Sequence, residues 1–370
     1  MATAQDLSPI IRLKRGMTLR YQNENKVEES QMQKVRVVVW GVGVQGSMSV
    51  RMMSEKEWIE IVGAIDIDKK KVGKDLGDVA GVGRKIGIIV SDDPDAVLAK
   101  TKPDIVLHAT FSPHDQTEAQ AMKCIEAGSN VLTTCALRLS YPWVHYPELG
   151  RKFDEAAKKN GVTIVCAGII PGLFDHLPII FSGLFSHVRR VSYKRVTDFT
   201  DLSAAAQGRH GIGLTFDVWQ KRMADGSIGW FLPVPPPWLD MIADALGWKI
   251  DETTKEVEAI IAKKIKRLPS GIEIQPGMIC GSHYRFSCVK DGEAVITFTY
   301  VMLVDPEGEG LEEVDSFSIE GEPNNVNAVL VGGIKGNFNY PTLVNRIPQV
   351  MEAKPGLVCA KDLPMIVCLK

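Results

Sequence analysis

The chain has 370 residues, 45% of them hydrophobic and 24% charged, which is the composition of an ordinary globular protein and the length of two domains. A formal net charge of -2 gives no global electrostatic reason to bind DNA, RNA or an anionic membrane. No run reaches the ~18 to 20 uninterrupted apolar residues of a membrane-spanning helix, and the N-terminus has no apolar segment followed by a small-residue cleavage site. A cytoplasmic protein with a small-molecule partner is therefore expected. The seven cysteines are odd in number and scattered, with no C-x-x-C, so reduced thiols are expected. No metal is expected either, because no pair of His, Cys or acidic residues has a ligand spacing.

Residues 1–34 are polar and mixed in charge, and they read as an N-terminal arm. From Val35 short β-branched runs alternate with helical stretches. Candidate strands lie at 35–40, 59–65, 85–90, 104–110, 130–134 and 162–167. "DQTEAQAMKCIEAG" and "VHYPELGRKFDEAAKKNG" are helical, each ended by a glycine. Near-continuous apolar strands separated by helices predict a parallel sheet covered on both faces, a Rossmann-type doubly wound α/β domain over 35–167. Past Gly168 the alternation stops, and long β runs such as "MICGSHYRFSCVK" and "EAVITFTYVMLV" are separated by turns such as "KDGE". A second, α+β domain with a largely antiparallel sheet is expected over 168–334. The helix candidate "TLVNRIPQVMEA" opens a segment, 335–370, expected to pack back on the first domain.

"VRVVVWGVGVQGSMSVRMM" places G-x-G-x-x-G at Gly41, Gly43 and Gly46, directly after a strand and opening a helix. Gly41 allows the tight turn, Gly43 lets a pyrophosphate approach the backbone, and Gly46 lets helix and strand pack closely. Val44 and Gln45 belong to the same helix start, whose free N–H groups suit phosphates. Asp66 ends the second strand, where an acid accepts hydrogen bonds from the adenosine ribose; with Ile67 after it, this favours NAD. Lys69, Lys70 and Lys71 keep NADP open as the alternative. Ala109, Thr110, Ser112, Thr134 and Cys135 follow the fourth and fifth strands and are expected to border the nicotinamide side. Cys135 has no evident base partner in the sequence, so no nucleophilic role is expected of it.

With these segments in view, the chain resembles the dihydrodipicolinate-reductase-like dehydrogenases, in particular the 2,4-diaminopentanoate dehydrogenase and native amine dehydrogenase group. The resemblance runs from about residue 35 to the C-terminus and rests on "VRVVVWGVGVQGS", "IVGAIDIDKKKVGKDLGDVAGVG", "YPWVHYPEL", "AGIIPGLF", "GRHGIGLTFDVW" and "VLVGGIKGN". It implies a cofactor, NAD or NADP, that exchanges a hydride with an amine. The family pattern has a glutamate just before Y-P, asparagines in G-x-N-P-G and V-N-D turns, and a histidine in G-G-I-H-G. This chain has Leu137 or Arg138, Ile170, Thr197 and Lys335 at those places.

An arginine neither accepts a proton nor attracts an ammonium, so the fold and cofactor carry over more readily than the amine substrate. Candidate replacements are Arg138, as a clamp for a carboxylate, and Lys335, as an acid or base if desolvated beside another cation. His176, oriented by Asp175, is a third. Ile170, Thr197 and Tyr141 belong to the candidate substrate side, with Lys194 and His210 as further possibilities. Trp219, Trp230, Phe231 and Trp238 are expected in core or interface rather than a ligand cage. The reading is an NAD(P)-dependent oxidoreductase acting on an amine/imine or alcohol/carbonyl pair. A non-redox, NAD-retaining lyase or isomerase, or a nucleotide sensor, is the alternative. A homodimer is expected.

Overall fold

The structure, a computed structural model, describes residues 34–110, 113–229, 235–335 and 338–369, together with a short antiparallel strand pair, β1 (Ile11–Arg12) and β2 (Thr18–Leu19). The first sheet is built from β3 (Val35–Trp40), β4 (Ile59–Ile65), β5 (Val90–Ser91), β6 (Ile105–His108), β7 (Asn130–Thr133) and β8 (Thr163–Cys166). A seventh strand, β17 (Gly356–Val358), joins from the C-terminal segment. The order is β17-β8-β7-β6-β3-β4-β5, and every pair is parallel.

Alternation along β3 explains the two-faced burial. Val37 and Val39 point to one face, covered by α1 (Val44–Met53) and by Leu343, Val344, Ile347 and Val350 of α10 (Asn339–Glu352). Val38 and Trp40 point to the other face, covered by α4 (His114–Glu126) and α5 (Pro147–Asn160), which present Ala121, Ile125, Phe153 and Ala157. The short helices α2 (Leu76–Ala80) and α3 (Pro94–Thr101) complete the layer around β4 and β5. The strand expected at 85–90 shrinks to Val90–Ser91. The N–H groups of Ile86 and Gly87 go to the Asp75 carboxylate, and this takes the backbone off the ladder.

The second sheet contains β9 (His187–Asp198), β10 (Glu252–Ile261), β13 (Ile279–Lys290), β14 (Glu293–Leu303), β15 (Val314–Glu322) and β16 (Val326–Val331), in the order β10-β13-β14-β9-β15-β16. All neighbours are antiparallel except β14 and β9. A separate antiparallel pair is formed by β11 (Lys266–Arg267) and β12 (Glu273–Ile274). One face packs Tyr193, Phe286, Phe298 and Phe317 against α6 (His176–Ser182) and α9 (Pro237–Ala245), with Trp238 fully buried among them. Between them lie α7 (Ala204–Arg209) and α8 (Phe216–Ala224), whose Trp219 packs on Ile228 and Ile279. Trp219 and Trp238 are thus core; Trp230 and Phe231 lie outside the described residues. The opposite face carries Ser192, Lys194, Arg285, Thr297 and Thr299.

Candidate active site

β3 and β6 are neighbours from which the chain winds in opposite directions, through β4 and β5 on one side and β7 and β8 on the other. Such a switch point opens a crevice beyond the strand ends. Gly41 and Gly46 close its floor. A side chain on Gly41, whose φ is +97°, would meet the Ala109 carbonyl oxygen at 2.5 Å, and one on Gly46 would meet the Gly41 carbonyl oxygen at 1.9 Å. Gly43 differs, because a Cβ there would point into space empty to 4 Å. Val44 and Ile67 are exposed at 75% and 78% beside this turn, apolar groups left open at the rim.

Asp66 is buried at the end of β4. It accepts from the Val42 N–H at 2.8 Å, the Asp68 N–H at 2.9 Å and Lys71 Nζ at 3.0 Å. Burial opposes its charge, but these donors outweigh the burial and hold the carboxyl below its ordinary range. Lys71 is thereby committed to Asp66, and Lys69 pairs with Asp92 at 2.6 Å. Of the three lysines raised as attractors of a 2′-phosphate, these two have acidic partners of their own, while Lys70 is exposed.

At the other strand ends, Thr110 and Cys135 meet His108, the last residue of β6. His108 is wholly buried, and its Nε2 lies 2.9 Å from Gln120 Oε1 and its Nδ1 3.1 Å from Thr133 Oγ1. Cys135 Sγ lies 3.5 Å from Nδ1 and 3.6 Å from Nε2. The expectation that Cys135 lacks a base partner is therefore corrected: the partner comes from the adjacent strand, 27 residues earlier. Burial pushes the thiol up, but His108 and the Thr133 and Thr110 hydroxyls outweigh it, lowering Cys135 to about 7. Thr134 faces α10 instead, accepting from Asn339 Nδ2 at 3.2 Å, while Asn339 Oδ1 accepts from the Ile169 N–H at 2.9 Å. Ser112 lies outside the described residues.

The expected replacement groups do not have the freedom that their roles require. Arg138 donates from Nε and Nη2 to both oxygens of the buried Glu118, at 2.6 and 2.7 Å, with its guanidinium 5.5 Å from the Tyr146 ring centroid. A fork already filled by an internal carboxylate cannot clamp a second one. Lys335 is exposed and pairs with Glu313 at 3.0 Å, which raises its pKa; the desolvated, cation-flanked lysine that sequence reasoning requires of a base is not found.

His176 packs against the 360–362 turn, where the Lys361 backbone and Asp362 face it; burial and Arg346 lower its pKa. Asp175 does not orient the imidazole. Its Oδ1 accepts the Gly172 N–H at 2.7 Å, and burial pushes the carboxyl up to about 7. Tyr141 is core, raised by burial and by Asp244 of α9. Ile170 is half-buried on the same core, and Thr197 contacts Arg195 Nε and the Tyr300 hydroxyl, both at 3.3 Å. Lys194 is exposed on β9, and burial lowers His210 to about 4.

Sequence reasoning missed His108, Gln120, Glu118 and Asn339. His108 stood in the sequence as the one ionisable residue of the strand "IVLH". That was the signal available. The other three become visible only when α4 and α10 are folded onto the sheet.

The model of the 2,4-diaminopentanoate dehydrogenase C-terminal domain matches residues 173–370, more than half of the chain, and the dihydrodipicolinate reductase N-terminus matches residues 35–137. The 2,4-diaminopentanoate dehydrogenase of Acetoanaerobium sticklandii is 30% identical over 339 residues, covering 90% of this chain and 94% of that one. The chain belongs to the 2,4-diaminopentanoate dehydrogenase family. It is an enzyme, an oxidoreductase of that family. An amine dehydrogenase of Streptomyces virginiae is 25% identical, covering 90% of this chain and 96% of its own. The structure of an amine dehydrogenase from Mycobacterium smegmatis superposes with a TM-score of 0.79 at 29% identity, covering 90% and 97% of the two chains. That enzyme thus shares the two-sheet architecture described above.

Proposed function

We propose that the enzyme transfers a hydride between a nicotinamide dinucleotide and a small substrate, an amine/imine or an alcohol/carbonyl pair, in a pocket altered from that of its relatives. The glycine turn carries the first half of this reading: two glycines whose side chains would collide with backbone, and a third whose side chain would occupy open space. In this site Val42–Gly46 and the α1 N-terminus would hold the pyrophosphate, and Asp66 the adenosine ribose. Bound nicotinamide supplies the hydride acceptor or donor. We favour NAD over NADP, because a 2′-phosphate would meet the Asp66 carboxylate while Lys69 and Lys71 are already paired.

The second half, the altered pocket, is supported by Leu137, Arg138, Ile170, Thr197 and Lys335 at the family's polar positions and by the internal partners of the two cations among them. The test is NADH and NADPH formation at 340 nm over a panel pairing each amine with its matching alcohol. Turnover of alcohols alone means that the reaction has changed, turnover of amines means that it is kept with a different proton acceptor, and silence with every pair overturns the reading. We further propose a homodimer joined through the outer face of the second sheet, whose open row of Ser, Thr and Arg side chains offers area without helices; a monomer in sedimentation at micromolar concentration overturns that.

A further inference from the structure

We propose that Cys135 and His108 form a thiolate–imidazolium pair beside the dinucleotide crevice, and that this makes Cys135 a site of oxidation by peroxides which bound dinucleotide shields. The shielding rests on the cofactor reading above; the pair does not.

The His108 ring is held from both sides: Nε2 lies 2.9 Å from the Gln120 carbonyl oxygen, which also accepts from Thr110 Oγ1 at 2.8 Å, and Nδ1 lies 3.1 Å from Thr133 Oγ1. The sulfur lies almost equally far from both nitrogens, so its attraction is to the ring's charge rather than to one N–H. Thr133 Oγ1, which takes the Cys135 and Ala136 N–H groups at 3.2 Å, can turn its own proton to the sulfur at 3.4 Å. An anion and a cation buried together are each compensated, whereas either alone would be costly. The other titratable groups facing the sulfur are the thiols of Cys124 on α4 and Cys166 on β8, both kept neutral by burial. Cys135 itself is partly exposed, between Thr110 and Thr134 at the strand ends.

The step balances with a peroxide as oxidant. The thiolate attacks one peroxide oxygen, an S–O bond forms and the O–O bond breaks. Sulfur is oxidised to the sulfenic acid, the departing hydroxide takes the imidazolium proton of His108, and the peroxide is reduced to water.

The experiment uses the full chain with Cys368→Ser, since Cys368 is the exposed thiol among the described residues and the other five besides Cys135 are buried. Iodoacetamide alkylation of Cys135 is followed by mass against pH, with Cys135→Ala as the blank, and hydrogen peroxide with dimedone traps the sulfenic acid. The expected alkylation midpoint lies near neutrality, with dimedone labelling at Cys135. In His108→Gln the midpoint rises to the ordinary thiol range and the rate at pH 6 falls by about fivefold. A midpoint of ~8.5 in the parent protein overturns the pair, and that profile is read whether or not His108→Gln folds. Saturating NADH is expected to slow alkylation at least tenfold. A fast thiol that NADH leaves unprotected overturns the shielding and counts against the cofactor reading while the pair stands; an ordinary thiol overturns the pair alone.

Discussion

The crevice at the ends of β3, β4 and β6 and the set of positions 137–138, 170, 197 and 335 differ in what builds them. The crevice is made of backbone: a turn of glycines, a helix start, and one carboxylate held by two N–H groups. The second set consists of side chains, and its two cations, Arg138 and Lys335, pair with Glu118 and Glu313. A backbone site tolerates sequence drift around it. A site built from side chains changes with each residue exchanged.

The sharpest way to break this contrast lies within the glycine turn. Gly46→Ala places a Cβ against the Gly41 carbonyl and should cost about 3 kcal/mol or more of stability, seen as a large drop in Tm, along with all dinucleotide binding. Gly43→Ala should leave Tm unchanged and still weaken NADH binding at least tenfold by fluorescence titration, since its Cβ meets only the space a ligand would use.

Asp175→Asn, whose carboxylate takes the Gly172 N–H, is next in size. Its folded pKa is raised to about 7, above the ordinary 3.8, so its contribution to stability is complete below about pH 4 and is lost as pH rises toward 7. Replacing it by Asn removes that loss. Denaturant titration should find the variant ~2 kcal/mol or more stabler than the parent at pH 8 and equal to it at pH 4. Glu118→Ala should cost about 2 kcal/mol by leaving the half-buried Arg138 fork without its partner; a neutral result would mean that Arg138 is free for a ligand after all. Smallest is Lys335→Ala, expected to leave Tm and the pH–rate profile unchanged, because an exposed pair contributes little; a shifted profile would restore Lys335 as a proton-transfer group.

The parallel sheet, the mixed second sheet and the cofactor turn were legible because their signals are local. An apolar strand, a glycine spacing and an acid at a strand end each lie within one short segment. The seventh strand was not legible, since Gly356–Val358 is too short to show a period and pairs with β8 only after α10 has crossed the sheet. The same limit hid the partners of two cations. Arg138 and Lys335 were in view in the sequence, but Glu118 and Glu313 lie on other elements, and charge alone does not say which carboxylate a cation will find. His108 and Cys135 were both in view on neighbouring strands; only parallel registration of His108 with Thr133 brings them together.

The central claim, that the backbone half of the site is intact while the side-chain half is changed, is tested most directly by titrating the protein and its Gly43→Ala variant with NADH and NADPH by fluorescence. Saturable binding to the parent, tighter for NADH and lost in the variant at unchanged Tm, is the predicted result. No binding of either dinucleotide to the folded parent would contradict it.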